Sequence, residues 1–293
     1  MSDESSPARV GFIGLGNMGA PMAKRLLGWP GGLTVCDVRA ESMLPFAEAG
    51  ARSAVTPAEV AAQSSVICVT VVDDAQVREV LTGVDGVLRT AAAGTVVAVH
   101  STIGDRTAEQ LAAVCAEHDV EFVDAPVSGG APGAAGGALA VMVGGSTAAV
   151  ERIRGPFGSF SNLIVHAGPV GAGTRMKLAR NLLHFVAFTA ATEAQRLAEA
   201  AGLDITELGK VVRHSDAITG GAGAIMLRNT TGPVDPSDFW YPILGHVRDL
   251  GEKDLSLALE LGQRLETDLP LAERALNDLG RGLGVAETAK ETS

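Results

Sequence analysis

From Arg9 onward the chain alternates two kinds of hydrophobic pattern. Short apolar runs rich in β-branched residues, "RVGFIGLG", "LTVCDV", "VICVTVV", "TVVAV" and "VEFVDAP", are separated by stretches with helical spacing such as "NMGAPMAKRLLG". Apolar runs of strand length that alternate with helices predict βαβ units and a parallel sheet covered on both faces. "LAVMVGG" reads as a further strand, so the Gly/Ala-rich segment "SGGAPGAAGGALA" before it lies inside the same domain and is a poor linker. After "NLIVHAGPVGAG" the strand signals stop. A long helix is predicted from Thr174 to about Ala201, closed by Gly202. Helical patterns follow in "DITELGKVVRHS", "HVRDLGEKDLSLALELGQRL" and "LPLAERALNDLGRGLG". The pattern predicts an α/β domain over 1–168 and an all-helical domain over 169–293, with the boundary near Gly168 to Gly173.

Composition narrows the class. At 293 residues, 46 % hydrophobic and 19 % charged, the chain can bury a core without disulfide or metal staples. No run of about eighteen apolar residues occurs, so no membrane span is expected. A net charge of −11 would repel a phosphate backbone, which disfavours nucleic-acid binding. The three cysteines, Cys36, Cys68 and Cys115, are scattered and read as buried thiols in a reducing compartment. The start "MSDESSPARV" shows no signal or transit pattern, and the expectation is a cytoplasmic protein. None of the histidines pairs with Cys or another His at ligand spacing, so no metal is predicted.

Chemistry enters first at "GLGNMG", where Gly14, Gly16, Asn17, Met18 and Gly19 follow a strand and open a helix. In such a turn the first glycine makes the bend and the second lets backbone approach a pyrophosphate. The third packs helix on strand, and the helix N-terminus adds N–H groups and positive potential. Asp37, at the end of "LTVCDV", stands where a carboxylate accepts from ribose hydroxyls and repels a 2′-phosphate, favouring NAD over NADP. A strand-end Asp that only caps the next helix is the plainer alternative, and Arg39, two residues on, can meet a phosphate.

A second glycine loop, "DAPVSGGAPGAAGGALAVMVGG", can present bare backbone N–H groups which, with the Ser128 hydroxyl, would cradle a carboxylate; a plain glycine-rich crossover is the alternative. Beyond "GAG", Lys177 and Asn181 share a helix face at i, i+4. A partly desolvated lysine has a lowered pKa suited to acid/base work on an alcohol or carbonyl. Taken alone, the same lysine reads as a solvated side chain between Arg175 and Arg180.

Together, "GFIGLGNMGAPMAKRL", "DAPVSGGAPGAAGGALAVMVGG", "GAGTRMKLARN" and "KDLSLALELG" resemble the β-hydroxyacid dehydrogenase family, 3-hydroxyisobutyrate dehydrogenases above all, from Arg9 to about Gly284. The resemblance implies an N-terminal Rossmann-type doubly wound sheet and a C-terminal all-helical domain joined by a long interdomain helix, in a homodimer or homotetramer. It implies hydride transfer between NAD and a small 3-hydroxy acid, with Lys177 as general acid/base and Asn181 as its partner. Ser128, Gly129 and Gly130 match the substrate loop, and Ser101 and Thr102 the segment lining the nicotinamide site. Lys253 matches a lysine near the nicotinamide end of the cofactor. Two positions depart from the pattern. Val99 stands where many members carry Asp, and His246 where relatives often have an apolar or aromatic residue. His246 and the other histidines read as structural or surface residues, and Trp240 and Tyr241 as core packing. Within the family, NADPH-dependent semialdehyde or glyoxylate reductases are opposed by Asp37, and imine reductases by Lys177. A non-catalytic dinucleotide-binding scaffold is opposed by the joint presence of Lys177, Asn181 and Ser128.

Overall fold

The computed structural model describes residues 7–226 and 230–285, and its chain divides after Arg180 into two compact units. In the first unit the β-branched runs form β1 (Val10–Ile13), β2 (Leu33–Cys36), β3 (Arg52–Ser53), β4 (Val66–Val69), β5 (Val96–Val99) and β6 (Glu121–Asp124). β7 (Val127–Ser128), β8 (Leu139–Gly144) and β9 (Ser161–Gly168) complete the sheet. Between the strands run α1 (Gly19–Lys24), α2 (Leu44–Glu48), α3 (Pro57–Ala61), α4 (Asp74–Thr82), α5 (Asp105–Ala116), α6 (Gly130–Ala135) and α7 (Thr147–Phe157).

The strand order is β3-β2-β1-β4-β5-β6-β8-β7, with β9 on β8. The first six strands are parallel and follow the Rossmann order, which reverses direction between β1 and β4 and leaves a crevice beyond their carboxyl ends. Alternate residues feed two cores, one on each face. Val10, Phe12, Val66 and Cys68 pack with α1 and α7 residues such as Met22 and Ile153. Ile13, Ile67, Val69 and Val97 pack with Val60, Leu81 and Leu111 on the other face. The sheet departs from the all-parallel expectation at β8, which runs antiparallel to β6 and β7. The segment between Ser128 and Leu139 is too short for a parallel crossover, so the chain returns in the opposite direction.

The helix α8 (Ala172–Ala200) runs through the division between the units. The second unit continues with α9 (Ile205–Thr219), α10 (Trp240–Arg264) and α11 (Pro270–Leu283). Asp204 caps α9 by accepting from Thr206 and Glu207 N–H. From α8, the buried Glu193 carboxylate accepts from the N–H groups of Leu271 and Ala272 and so caps the first turn of α11. Among the described residues no helix is long and apolar enough to cross a membrane.

Candidate active site

The glycine loop turns at the carboxyl end of β1. Gly14 has φ +93°, and a Cβ there would overlap the Thr70 carbonyl oxygen at the end of β4, so only glycine closes this turn. A Cβ on Gly16, in contrast, would meet nothing within 4 Å. That bare backbone borders a cleft of about 600 Å³, also lined by Gly14, Asp37, Arg39, Val71 and Gln76. Asp37 follows β2 and its side chain is only 7 % exposed. One carboxylate oxygen accepts from the Leu15 N–H at 2.6 Å, tying the glycine loop to β2. The other accepts from the Arg39 N–H at 2.9 Å and from Arg39 Nε at 3.4 Å. A carboxylate has about four acceptor positions and these contacts use three, so Asp37 keeps one for a hydroxyl donor. The open Gly16 backbone, the cleft and this carboxylate fit a dinucleotide, with Gly14, Gly16 and Asp37 as the residues that would hold it. Asn17 is exposed, Met18 half-buried and Gly19 buried beneath them.

Beyond β5, Ser101 is buried and its hydroxyl clips the neighbouring loop, accepting from the Val71 N–H at 2.9 Å and donating to the Val71 carbonyl at 2.7 Å. Thr102 is exposed. His100 is enclosed by Phe12, Phe157 and Phe160, and its Nδ1 lies 2.8 Å from the Ala125 carbonyl. Burial pushes its pKa down to about 4, so the imidazole is neutral and Nδ1 donates.

At the β6 end, motifs far apart in sequence meet. Lys177, one turn into α8, is half-buried, and its Nζ donates to the Val127 carbonyl at 2.7 Å. The amine therefore rests on the backbone immediately before Ser128, at the head of the Ser128–Gly130 loop. Ser128 is half-buried and pairs with Ala140, while Gly129 and Gly130 are exposed and lead into α6. Burial lowers the Lys177 pKa, and the positive charge of Arg180 lowers it further. Close backbone packing seats the helix. A Cβ on Gly173 would overlap the Met142 carbonyl and crowd the Asp124 carbonyl, so α8 starts directly against β6 and β8.

The remaining predicted residues belong to the second unit. Asn181 follows Lys177 by one turn of α8 and is half-buried. Lys253 lies on α10, exposed and paired with Asp254 at 3.1 Å. His246 is exposed on the same helix. Trp240 and Tyr241 pack against the small cluster of Val234, Leu244, Leu283 and Val285.

Two participants were given no role from the sequence. The Val127 carbonyl is backbone and leaves no mark in sequence. Asp124 stood in the quoted motif without a role, yet its fully buried carboxylate accepts from the N–H groups of Gly171 at 2.7 Å and Thr174 at 2.6 Å. An acidic residue ending a strand just before a glycine loop was the available cue.

Residues 9–168 match the family model described as the NAD binding domain of 6-phosphogluconate dehydrogenase. Residues 171–280 match the one described as NAD-binding of NADP-dependent 3-hydroxyisobutyrate dehydrogenase. The chain belongs to the β-hydroxyacid dehydrogenases. An uncharacterized oxidoreductase of Mycobacterium tuberculosis strain H37Rv is 58 % identical over all of both chains. The 2-(hydroxymethyl)glutarate dehydrogenase of Eubacterium barkeri is 34 % identical over 94 % of this chain and 90 % of its own. Among solved structures, one described only as an oxidoreductase from Mycobacterium avium 104 superposes with a TM-score of 0.91 at 55 % identity, covering 95 % of this chain and 99 % of that one. The 3-hydroxyisobutyrate dehydrogenase of Mycobacterium tuberculosis, solved with L-serine, gives 0.66 at 30 % identity over 94 % and 93 %. This β-hydroxyacid dehydrogenase is thus an NAD(P)-dependent oxidoreductase acting on CH–OH.

Proposed function

We propose that this enzyme oxidises a small 3-hydroxy acid with NAD, giving the 3-oxo acid or semialdehyde, with Lys177 as general acid/base. The observation that carries the reading is the Lys177 amine seated on the Val127 carbonyl beside the Ser128–Gly130 loop. A bound nicotinamide supplies the two-electron acceptor. The neutral Lys177 amine takes the hydroxyl proton while the C–H bond gives up hydride, and in reduction the ammonium returns that proton to oxygen. Half-burial favours the neutral amine, which this role requires. The Ser128 hydroxyl and the Gly129 and Gly130 N–H groups would hold the substrate carboxylate, and Asn181 would hold the lysine or a substrate oxygen. Ser101 acts through its clip on Val71, Thr102 would face cofactor or substrate, and Lys253 would serve the nicotinamide end.

L-Serine beside a relative that is 30 % identical fits a substrate of this size with a primary alcohol. The test is NADH or NADPH formation across 3-hydroxyisobutyrate, 3-hydroxypropionate, serine, 4-hydroxybutyrate and 6-phosphogluconate. Turnover of a 3-hydroxy acid, lost in Lys177→Ala, is expected. Tight NAD binding without any oxidation would favour the scaffold instead. Buried, unpaired Cys36, Cys68 and Cys115 fit a reducing compartment such as the cytoplasm.

We also propose a homodimer or homotetramer built on the second unit. Leu182, Phe185 and Phe188 on α8, and Val211 and Ile218 on α9, are exposed apolar residues. A partner chain would remove them from water. Light scattering should then give two or four chain masses, and a monomer would end this part of the reading.

A further inference from the structure

Lys177 projects from a helix whose start carries unsatisfied N–H groups, as every α-helix start does. In α8 one of those groups, the Thr174 N–H, and the Gly171 N–H just ahead of the helix are met by a side chain from a strand some fifty residues earlier. Asp124 ends β6 with 0 % exposure. Its Oδ1 accepts from the Gly171 N–H, just ahead of the helix, and its Oδ2 from the Thr174 N–H in the first turn. Thr174 precedes Lys177 by three residues, so the two lie on adjacent turns of one face. The backbone leaving Asp124 reaches Val127, whose carbonyl accepts from Lys177 Nζ. The segment Asp124–Val127 therefore grips α8 twice, at its start through a carboxylate and at the lysine through a carbonyl.

The grip is mutual. A carboxylate sealed from water is costly unless hydrogen-bonded, and a helix N-terminus, with free donors and positive potential, is where it is least costly. Burial pushes the Asp124 pKa up, and the Thr174 and Gly171 N–H groups pull it back. There is little slack around the carboxylate, because a Cβ on Gly144 would overlap it. A second tie holds the same turn from outside, where Arg175 pairs with Asp105 at 3.2 Å and Glu109 at 3.0 Å on α5. That tie is exposed and contributes little.

We propose that Asp124 is a positioning residue for Lys177: its carboxylate fixes the first turn of α8 and so holds the amine at the Val127 carbonyl beside the substrate loop. The catalytic consequence rests on the acid/base reading of Lys177, whereas the positioning does not.

Asp124→Asn keeps the size of the side chain but turns an amide NH2 toward one of the two N–H donors. The first readout is the pH dependence with which trinitrobenzenesulfonate labels Lys177 in the full-length protein, followed on the Lys177 peptide by mass spectrometry. With the helix start loosened, the amine moves into water, and the labelling midpoint rises toward that of an ordinary lysine. The second readout is turnover, where kcat falls about 10- to 100-fold, as misplacing a reacting group by an ångström can do. NAD affinity changes by less than about twofold, because the Gly14–Asp37 cleft is untouched. Asp124→Glu retains the charge with the carboxylate displaced, and is expected to shift both readouts in the same direction by less. It also serves if the amide variant fails to fold. A folded variant with the wild-type labelling midpoint and the wild-type kcat would overturn the proposal. A raised midpoint in a protein that oxidises no hydroxy acid, before or after substitution, would uphold the positioning and remove the acid/base reading instead.

Discussion

Asp37 and Asp124 occupy equivalent places, each at the carboxyl end of a parallel strand, and they do opposite things. Asp37 borders an open cleft and shares its carboxylate between the glycine loop and the exposed cation of Arg39. Asp124 is sealed and spends both oxygens on the start of a helix. The carboxyl edge of the sheet thus provides the same chemical group twice, and what packs over it decides whether it meets a ligand or the protein. β2 is followed by an exposed loop, Val38–Ala40, that leaves room. β6 is followed by a segment that α8 covers directly.

The comparison is sharpened first where it has the largest effect. Lys177→Ala at the Asp124 end should lower kcat by about 10²- to 10⁴-fold, roughly 3 to 5 kcal/mol, and leave NAD affinity nearly unchanged. Oxidation by the wild-type enzyme should rise with pH as Lys177 loses its proton. Its midpoint should fall below the usual lysine value, because burial and Arg180 both disfavour the ammonium. An acid limb centred at or above that value would contradict the seat described for the amine.

A smaller effect on the same end comes from His100, which donates to the carbonyl next to Asp124. Its pKa in the fold is about 4, against 6.5 for a free imidazole, so protons bind preferentially to the unfolded chain between those values. Stability present above pH 6.5 should therefore be lost as pH falls through 4, by about 3 kcal/mol for a shift of this size. Denaturant titrations of wild type and His100→Phe across that window would show it. Equal pH dependence in the two proteins would rule out His100 as the source.

The Asp37 end should respond in the cofactor rather than in kcat. Asp37→Ala should lower kcat/KM for NAD by about 10- to 100-fold, in line with the loss of hydrogen bonds to a charged group of about 1.5 to 3 kcal/mol. Arg39→Ala, which removes an exposed ion pair, should change it by only a few fold. The ratio of NAD to NADP activity in the two variants separates their roles. If Arg39→Ala raised that ratio strongly, the guanidinium would be serving a 2′-phosphate.

Much of the sheet was legible because buried parallel strands leave continuous β-branched runs and because "GLGNMG" compresses a turn, a close approach and a helix start into a few residues. The antiparallel return of β8 was less legible, since a glycine-rich connection does not declare its direction. At the candidate site Lys177 was visible as a cation at the head of an apolar helix. What holds it was not visible. The Val127 carbonyl has no side-chain signature, and the Asp124 partners lie some fifty residues away. Ser101, read from its motif as lining the nicotinamide site, also bonds Val71 through its hydroxyl, a contact with no mark in the sequence.

The linear order of residues by itself determined the alternation of strands and helices, the position of the glycine turn, and the family to which the chain belongs. These are local or statistical properties, set by side-chain periodicity and backbone preference over a few residues. Only the tertiary structure decided which strand-end aspartate faces a cleft and which is sealed, and where the amine of Lys177 rests. Both outcomes depend on desolvation and on donors brought from distant segments, and neither quantity exists until the chain has closed around them.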